Sequence, residues 1–209
     1  MIRIVGGSVG GRLLATPKGM NTRPTSDRAR EALFSSVEAA RSLAGARVLD
    51  LYAGSGALGL EALSRGAAAV VLVEADRNVC AVLRANVAAL GLPGAQVVTA
   101  RVAEALAQPA AEAFDLLFAD PPYAVPAAEV AAALTTAAAN GWLAPEALVV
   151  LERASRDPDF QWPCDFGALR ERRYGEATLW FGRFTGDPAG QLGTPPSGDD
   201  GEGPHFPRA

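Results

Sequence analysis

The sequence predicts an α/β fold: a mostly parallel sheet, covered by helices on both faces and closed by an antiparallel hairpin. Three observations carry this. Between residues 46 and 184, apolar strand-like runs alternate with helical periodicity. A glycine-rich turn follows the first of those runs. The last two runs, Leu169–Tyr174 and Ala177–Phe184, are joined only by Gly175-Glu176, too short for a parallel crossover.

The elements follow in order. Ile2, Ile4, Leu13 and Leu14 flank Gly6, Gly7, Gly10 and Gly11, which suits a small β-hairpin. Thr25, Ser26 and Asp27 can cap a helix over about 26–42, in which Ala29, Leu33, Phe34 and Val37 recur at helical spacing. Arg47–Leu51 is the first strand of the sheet, Ala57–Arg65 a helix and Ala69–Glu74 the second strand. Arg77–Leu90 is a helix stopped by Gly91, and Gln96–Thr99 and Phe114–Ala119 are the third and fourth strands. Pro126–Ala139 reads as an alanine-rich helix and Ala147–Glu152 as the fifth strand; the hairpin brings the sheet to seven. Three regions result: a basic hairpin-and-helix extension (1–45), the sheet-bearing core (46–184) and a Gly/Pro/Asp-rich acidic tail (185–209) predicted to be disordered.

Bulk properties exclude several classes. No stretch reaches the roughly 18–20 uncharged apolar residues that span a bilayer, and the first residues lack an apolar signal region. Cys80 and Cys164 are the two cysteines, without a C-x-x-C pair, so no disulfide framework or zinc site is expected. A cytoplasmic monomer is the expectation. The net charge of −4 hides an asymmetry: Arg3, Arg12, Lys18, Arg23, Arg28 and Arg30 face only Asp27 in residues 1–30. Such a segment suits phosphate contact; a solvated, charged N-terminus is the other reading.

Asp50-Leu-Tyr-Ala-Gly54-Ser-Gly56-Ala-Leu-Gly59 occupies the first strand-to-helix turn, where open α/β sheets bind ligands. Gly54-x-Gly56-x-x-Gly59 with Glu74 also fits a dinucleotide fingerprint. Two features favour S-adenosylmethionine over NAD. Asp50 lies within the strand, where a carboxylate can face the cationic amino-acid end of that molecule. The single histidine, His205, lies in the tail, so nothing supplies hydride-transfer acid/base chemistry. Tyr52, Gly54, Ser55, Gly56, Glu74 and Ala75 complete the candidate cofactor set, with Glu74 accepting from ribose hydroxyls.

The fourth strand ends in Asp120-Pro121-Pro122-Tyr123. Two prolines remove two backbone donors, so the loop offers acceptors. An exocyclic amine is a double donor; Asp120 and a proline carbonyl can hold both N–H groups while Tyr123 stacks on the base. A plain Pro-Pro loop with a surface aromatic is the bland alternative.

These motifs together resemble the class I methyltransferases of Rossmann-like fold that act on amino nitrogens. Arg3–Gly7, Arg23–Phe34, Leu58–Ala67 and Arg173–Thr178 resemble, more narrowly, the bacterial RsmD family. That resemblance covers about residues 2–184 and implies methylation of a guanine N2 in 16S ribosomal RNA of the 30S particle. It also implies that Asp50, Gly54, Gly56 and Glu74 hold S-adenosylmethionine, and that Asp120, Pro121 and Tyr123 hold the amine. Arg3, Arg12, Arg23, Arg28 and Arg30 are the candidate RNA contacts. One departure is Arg101-Val102-Ala103 after the third strand, where many class I enzymes carry an acidic adenine contact.

Asp-Pro-Pro-Tyr alone does not name the base, because enzymes acting on adenine N6 or cytosine N4 of DNA use similar loops. Those usually carry a target-recognition insertion, for which Gly59–Asp120 leaves no room. A protein glutamine, an NAD-dependent oxidoreductase and a non-catalytic RNA-binding module are the remaining alternatives. Pro163-Cys164 follows the fifth strand, not the fourth, and reads as a bland cysteine rather than a nucleophile.

Overall fold

The computed structural model describes residues 2–17 and 27–186. Strands β1 (Ile2–Arg3) and β2 (Leu13–Leu14) pair antiparallel, and helix α1 (Asp27–Ala40) follows. Then come β3 (Arg47–Leu51), α2 (Ala57–Ser64), β4 (Ala69–Glu74), α3 (Arg77–Leu90) and β5 (Ala95–Thr99). The chain continues through α4 (Val102–Leu106), β6 (Phe114–Ala119), α5 (Ala127–Ala139), β7 (Leu143–Ala154), β8 (Phe166–Tyr174) and β9 (Ala177–Phe184). The seven-stranded sheet has the order β5-β4-β3-β6-β7-β9-β8, in which β9 runs antiparallel to both its neighbours. The mostly parallel sheet with its closing hairpin is therefore as the alternating runs predicted.

Period-two alternation divides the strands between two cores. Val48, Leu72, Leu116, Phe118, Leu148, Val150, Leu179 and Phe181 face one way, against Phe34, Leu60 and Leu83 of α1, α2 and α3. Leu49, Val73, Leu117, Val149 and Leu151 face the other, against Leu106, Val130 and Leu134 of α4 and α5. Both faces are covered, which is why the strands read as nearly continuous apolar runs. Helix α3 stops where its sequence called for, and its start is capped by an aspartate not singled out from the sequence. Asp76 accepts from the N–H groups of Asn78 (2.7 Å) and Val79 (3.1 Å), and Gly91 closes the helix at φ 64°.

The N-terminal loop is fastened to α2 through buried polar groups. Glu61, fully buried, accepts from the N–H groups of Val5 (2.6 Å) and Gly6 (2.7 Å) and from Arg65 Nε (2.9 Å). The Ser64 hydroxyl donates to the Gly6 carbonyl (2.6 Å) and accepts from Val9 N–H (3.1 Å). At Gly7, φ is +77° and a Cβ would lie 2.0 Å from the Ser64 carbonyl oxygen, so only glycine lets the two backbones meet. A buried carboxylate satisfied by three donors avoids the penalty of an unpaired charge.

Two strand starts and one helix depart from expectation by more than the one or two residues seen at other ends. Strand β7 begins at Leu143, not Ala147, and Pro145 and Glu146 (φ 61°) sit at a register shift against β6. Strand β8 begins at Phe166, before a second shift between Ala168 and Arg170. Helix α4, five residues long, was not anticipated. Among the described residues no helix is long and apolar enough to cross a membrane. Thr25, Ser26, Arg23 and all but the first two residues of the predicted tail lie outside the described residues.

Candidate active site

Strand β3 pairs with β4 on one side and β6 on the other, so the chain reverses its direction of winding there. At that switch point the carboxyl ends of parallel strands open a crevice. The glycine turn after β3, Glu74 at the end of β4 and the loop after β6 all border it.

The turn is shaped by left-handed backbone at Tyr52 (φ 62°), Gly54 (φ 56°) and Gly56 (φ 83°). Asp50 is buried, and its Oδ2 accepts from Gly59 N–H (2.8 Å) in the first turn of α2. A Cβ on Gly59 would lie 2.7 Å from Leu72 and 3.0 Å from Asp50 Oδ2, so this glycine sets how closely α2 packs on the sheet. At Gly54 a Cβ would meet only the Tyr52 oxygen, at 3.9 Å, so its Cα faces open room where a ligand can approach. Glu74 accepts from Gly54 N–H (3.0 Å) and Asp76 N–H (2.9 Å). The side chain of Asn86 on α3 donates to the Ser55 carbonyl (2.9 Å), and pairs with both backbone groups of Ala15 (2.8 and 3.0 Å). One buried amide thereby couples the glycine turn to the N-terminal segment. Ser55 is buried, and Ala75 is exposed beside Glu74.

Electrostatics tie the two loops together. Burial raises the Asp50 carboxyl to about 7; the Gly59 N–H opposes the rise, and the charges of Asp120 and Glu74 add to it. Asp120 is an exposed residue whose carboxyl is nonetheless desolvated by the protein around it, and that desolvation raises it to about 6. Three carboxylates therefore share one crevice.

The loop after β6 is braced from β7. Arg153 donates from Nη1 to the Val125 carbonyl (2.8 Å), and its Nη2 pairs with Asp157 (2.9 Å). The Pro122 carbonyl accepts from Val125 N–H (2.8 Å), and Pro121 is buried. Tyr123 is 38% exposed, with the Arg156 guanidinium 5.8 Å from its ring centroid. Sequence reasoning missed Glu61, Asn86, Arg153 and Arg156. The available signal was a glutamate within the apolar helix Leu58–Ser64 and arginines at the end of a strand.

The structure separates the candidate RNA-contacting arginines. Arg3 is exposed and bonded to Asp27 (2.6 Å), Arg12 is exposed with Nη1 on the Ala89 carbonyl (2.8 Å), and Arg28 is exposed. Arg30 corrects the expectation: its side chain is 3% exposed and donates to the Arg3 carbonyl (2.7 Å) and Asp27 (2.7 Å), so it braces the extension from inside. Two small cavities are also present, the first bordering the glycine turn at Tyr52. One of about 110 Å³ is lined by Tyr52, Val102, Ala103, Glu129 and Thr136. The other, about 210 Å³, is lined by Leu148, Leu169, Arg170 and Phe181 at the far end of the strands.

A family model described as conserved hypothetical protein 95 matches residues 2–183. Ribosomal RNA small subunit methyltransferase D of Escherichia coli is 41% identical over 175 residues, 84% of this chain and 86% of that protein. The chain belongs to the RsmD family. Its Haemophilus influenzae relative of the same name is 35% identical over 177 residues, 83% of this chain and 89% of that protein. The solved structure of Escherichia coli yhhF, 35% identical, superposes with a TM-score of 0.78, covering 89% of this chain and 99% of that one. The RsmD fold is thus a class I methyltransferase fold, and this chain carries it over nearly its full sheet.

Proposed function

We propose that this RsmD-family chain transfers the methyl group of S-adenosylmethionine to the exocyclic N2 of a guanine in 16S ribosomal RNA, presented by the 30S particle. One observation carries the reading: the glycine turn with Asp50 and Glu74 and the Asp120–Tyr123 loop open on the same crevice. The curated relatives named for methylation of small-subunit ribosomal RNA support the substrate class.

The residues present fit the methyl donor. Room above Gly54 admits a ligand against backbone, and Glu74, holding two N–H groups, has lone pairs for ribose hydroxyls. Asp50 offers a negative charge to an ammonium group through the turn. Bound there, S-adenosylmethionine supplies a methyl already activated on a sulfonium, so the protein's task is chiefly positioning. Asp120 accepts one N–H of the target amine. The Pro121 carbonyl accepts the other, since the Pro122 carbonyl serves Val125. As the nitrogen forms its bond to carbon and loses a proton, the Asp120 carboxylate is the acceptor at hand. Tyr123, backed by Arg156, stacks on the base drawn out of its helix. Residues 1–45, through Arg3, Arg12, Arg23 and Arg28, dock on phosphates, with binding that weakens as salt rises. The enzyme works as a cytoplasmic monomer.

The test uses tritiated S-adenosylmethionine and 30S particles from a strain lacking the endogenous activity, followed by nucleoside analysis of the RNA. N2-methylguanosine at one position is expected. Label in another base, or none, overturns the proposal.

A further inference from the structure

Another buried carboxylate lies at the same end of the sheet. Glu152 is 9% exposed on β7. Strands β6 and β7 pair Leu116 with Leu148, Phe118 with Val150 and Ala119 with Leu151, where the ladder ends; one further step in that register brings Asp120 beside Glu152. Their faces agree. Leu148 and Val150 share a core with Leu116 and Phe118, and Leu179, the cross-strand partner of Glu152, belongs to it as well. Alternation along β6 carries Asp120 to the face of Phe118, and its charge acts on Asp50, which is bonded to α2 on that side. Adjacent strands lie about 4.8 Å apart, so the two carboxylates can serve one ring edge.

Strand order decides which side of the base Glu152 meets. Along β4-β3-β6-β7 come Glu74, the glycine turn, Asp120 and Glu152. The cofactor groups lie on one flank of Asp120 and Glu152 on the other, where the ring carrying the amine must lie.

We infer that Glu152 is the residue that selects guanine, accepting the ring N1–H while Asp120 accepts from the adjacent 2-amino group. The inference rests on the proposed amino-methylation. Guanine alone among the four bases sets a ring N–H next to its amine. In adenine and cytosine the ring nitrogen beside the amine is an acceptor, and its lone pair would face a buried carboxylate at a desolvation cost. Asp120-Pro-Pro-Tyr provides for an amine of any of the three; Glu152 provides for guanine.

The decisive experiment uses reconstituted 30S particles whose 16S RNA carries guanine or 2-aminopurine at the methylated position. 2-Aminopurine keeps the amine but replaces N1–H by a lone pair and lacks O6, so the change of preference between the enzyme variants is what reports on Glu152. The wild type is expected to favour guanine by roughly 10- to 100-fold in kcat/KM, the scale of a hydrogen bond to a charged group. Glu152→Gln, whose amide can donate to that lone pair, is expected to lose at least about 10-fold on guanine and to bring the ratio to one or invert it. Glu152→Asp, with the charge drawn back by one methylene, lowers kcat/KM on guanine but keeps the preference. S-adenosylmethionine affinity, unchanged in both variants, reports that they are folded. If the glutamine variant slows equally on both bases, Glu152 only braces the fold and the assignment is wrong. A wild type equally active on both bases also overturns it. A wild type inactive on both removes the proposed function itself.

Discussion

Replacing Asp50 with asparagine is expected to stabilise the protein while weakening its hold on S-adenosylmethionine. The Asp50 carboxyl is buried, and its pKa is raised from 3.8 to about 7 chiefly by that burial. The sign follows from linkage. Folding disfavours the ionised form, so the penalty is absent below 3.8, grows as pH rises toward 7 and is constant above it. It grows by about 1.4 kcal/mol per pH unit, reaching at most about 4 kcal/mol. Asparagine keeps an oxygen for the Gly59 N–H and offers its amide toward Asp120 and Glu74, so it escapes this penalty. Urea denaturation of both proteins from pH 5 to 9 reads the difference. The variant's advantage is expected to rise steadily to about pH 7 and then level off, by on the order of 1–4 kcal/mol. Calorimetry at pH 8 is expected to show S-adenosylmethionine binding weakened by roughly 10-fold, the loss of a charge that acts on the ligand's ammonium group through the turn. A pH-independent difference, or a variant less stable at pH 8, would refute the reasoning.

Three further outcomes follow from the same geometry. Asp120, raised to about 6, must be ionised to accept from the amine, so kcat is expected to fall about 10-fold per pH unit below 6; a flat profile from pH 5 to 8 with rate-limiting chemistry contradicts this. Arg153→Met frees the Val125 carbonyl and loosens the target loop, and is expected to lower kcat by about 10- to 100-fold at unchanged S-adenosylmethionine affinity, measured by single turnover. Glu61→Ala leaves the Val5 and Gly6 N–H groups and Arg65 without their carboxylate, and is expected to cost about 3–5 kcal/mol by urea denaturation; a loss under 1 kcal/mol would show the fastening to be dispensable.

The sheet was legible because both its faces are buried, so β4 and β6 are nearly continuous apolar runs, broken only by Glu74 and Asp115, and match their predicted limits. The end of helix α3 was legible for a local reason, Gly91. The start of β7 was hidden because Pro145 reads as a strand breaker, yet the strand absorbs it at a register shift. Helix α4 is too short to show a period. Asp50, Glu74 and Asp120 were legible because each is an acidic residue at or near the carboxyl end of an apolar run, with a glycine turn after the first and two prolines after the third. Glu152 and Arg153 sit in an unremarkable apolar stretch, and their place beside the target loop depends on β7 lying next to β6, which spacing alone does not state. Arg30 misled because a charge count does not show that the Arg3 carbonyl and Asp27 enclose it.

The central claim is a division of labour between two loops facing one crevice, and Asp120→Ala tests it most directly when methyl transfer and S-adenosylmethionine affinity are measured on the same preparation. The account predicts that transfer to 30S particles falls by at least about 10³-fold while affinity stays within about threefold. A variant that still methylates, or one that loses the methyl donor along with its activity, would contradict it.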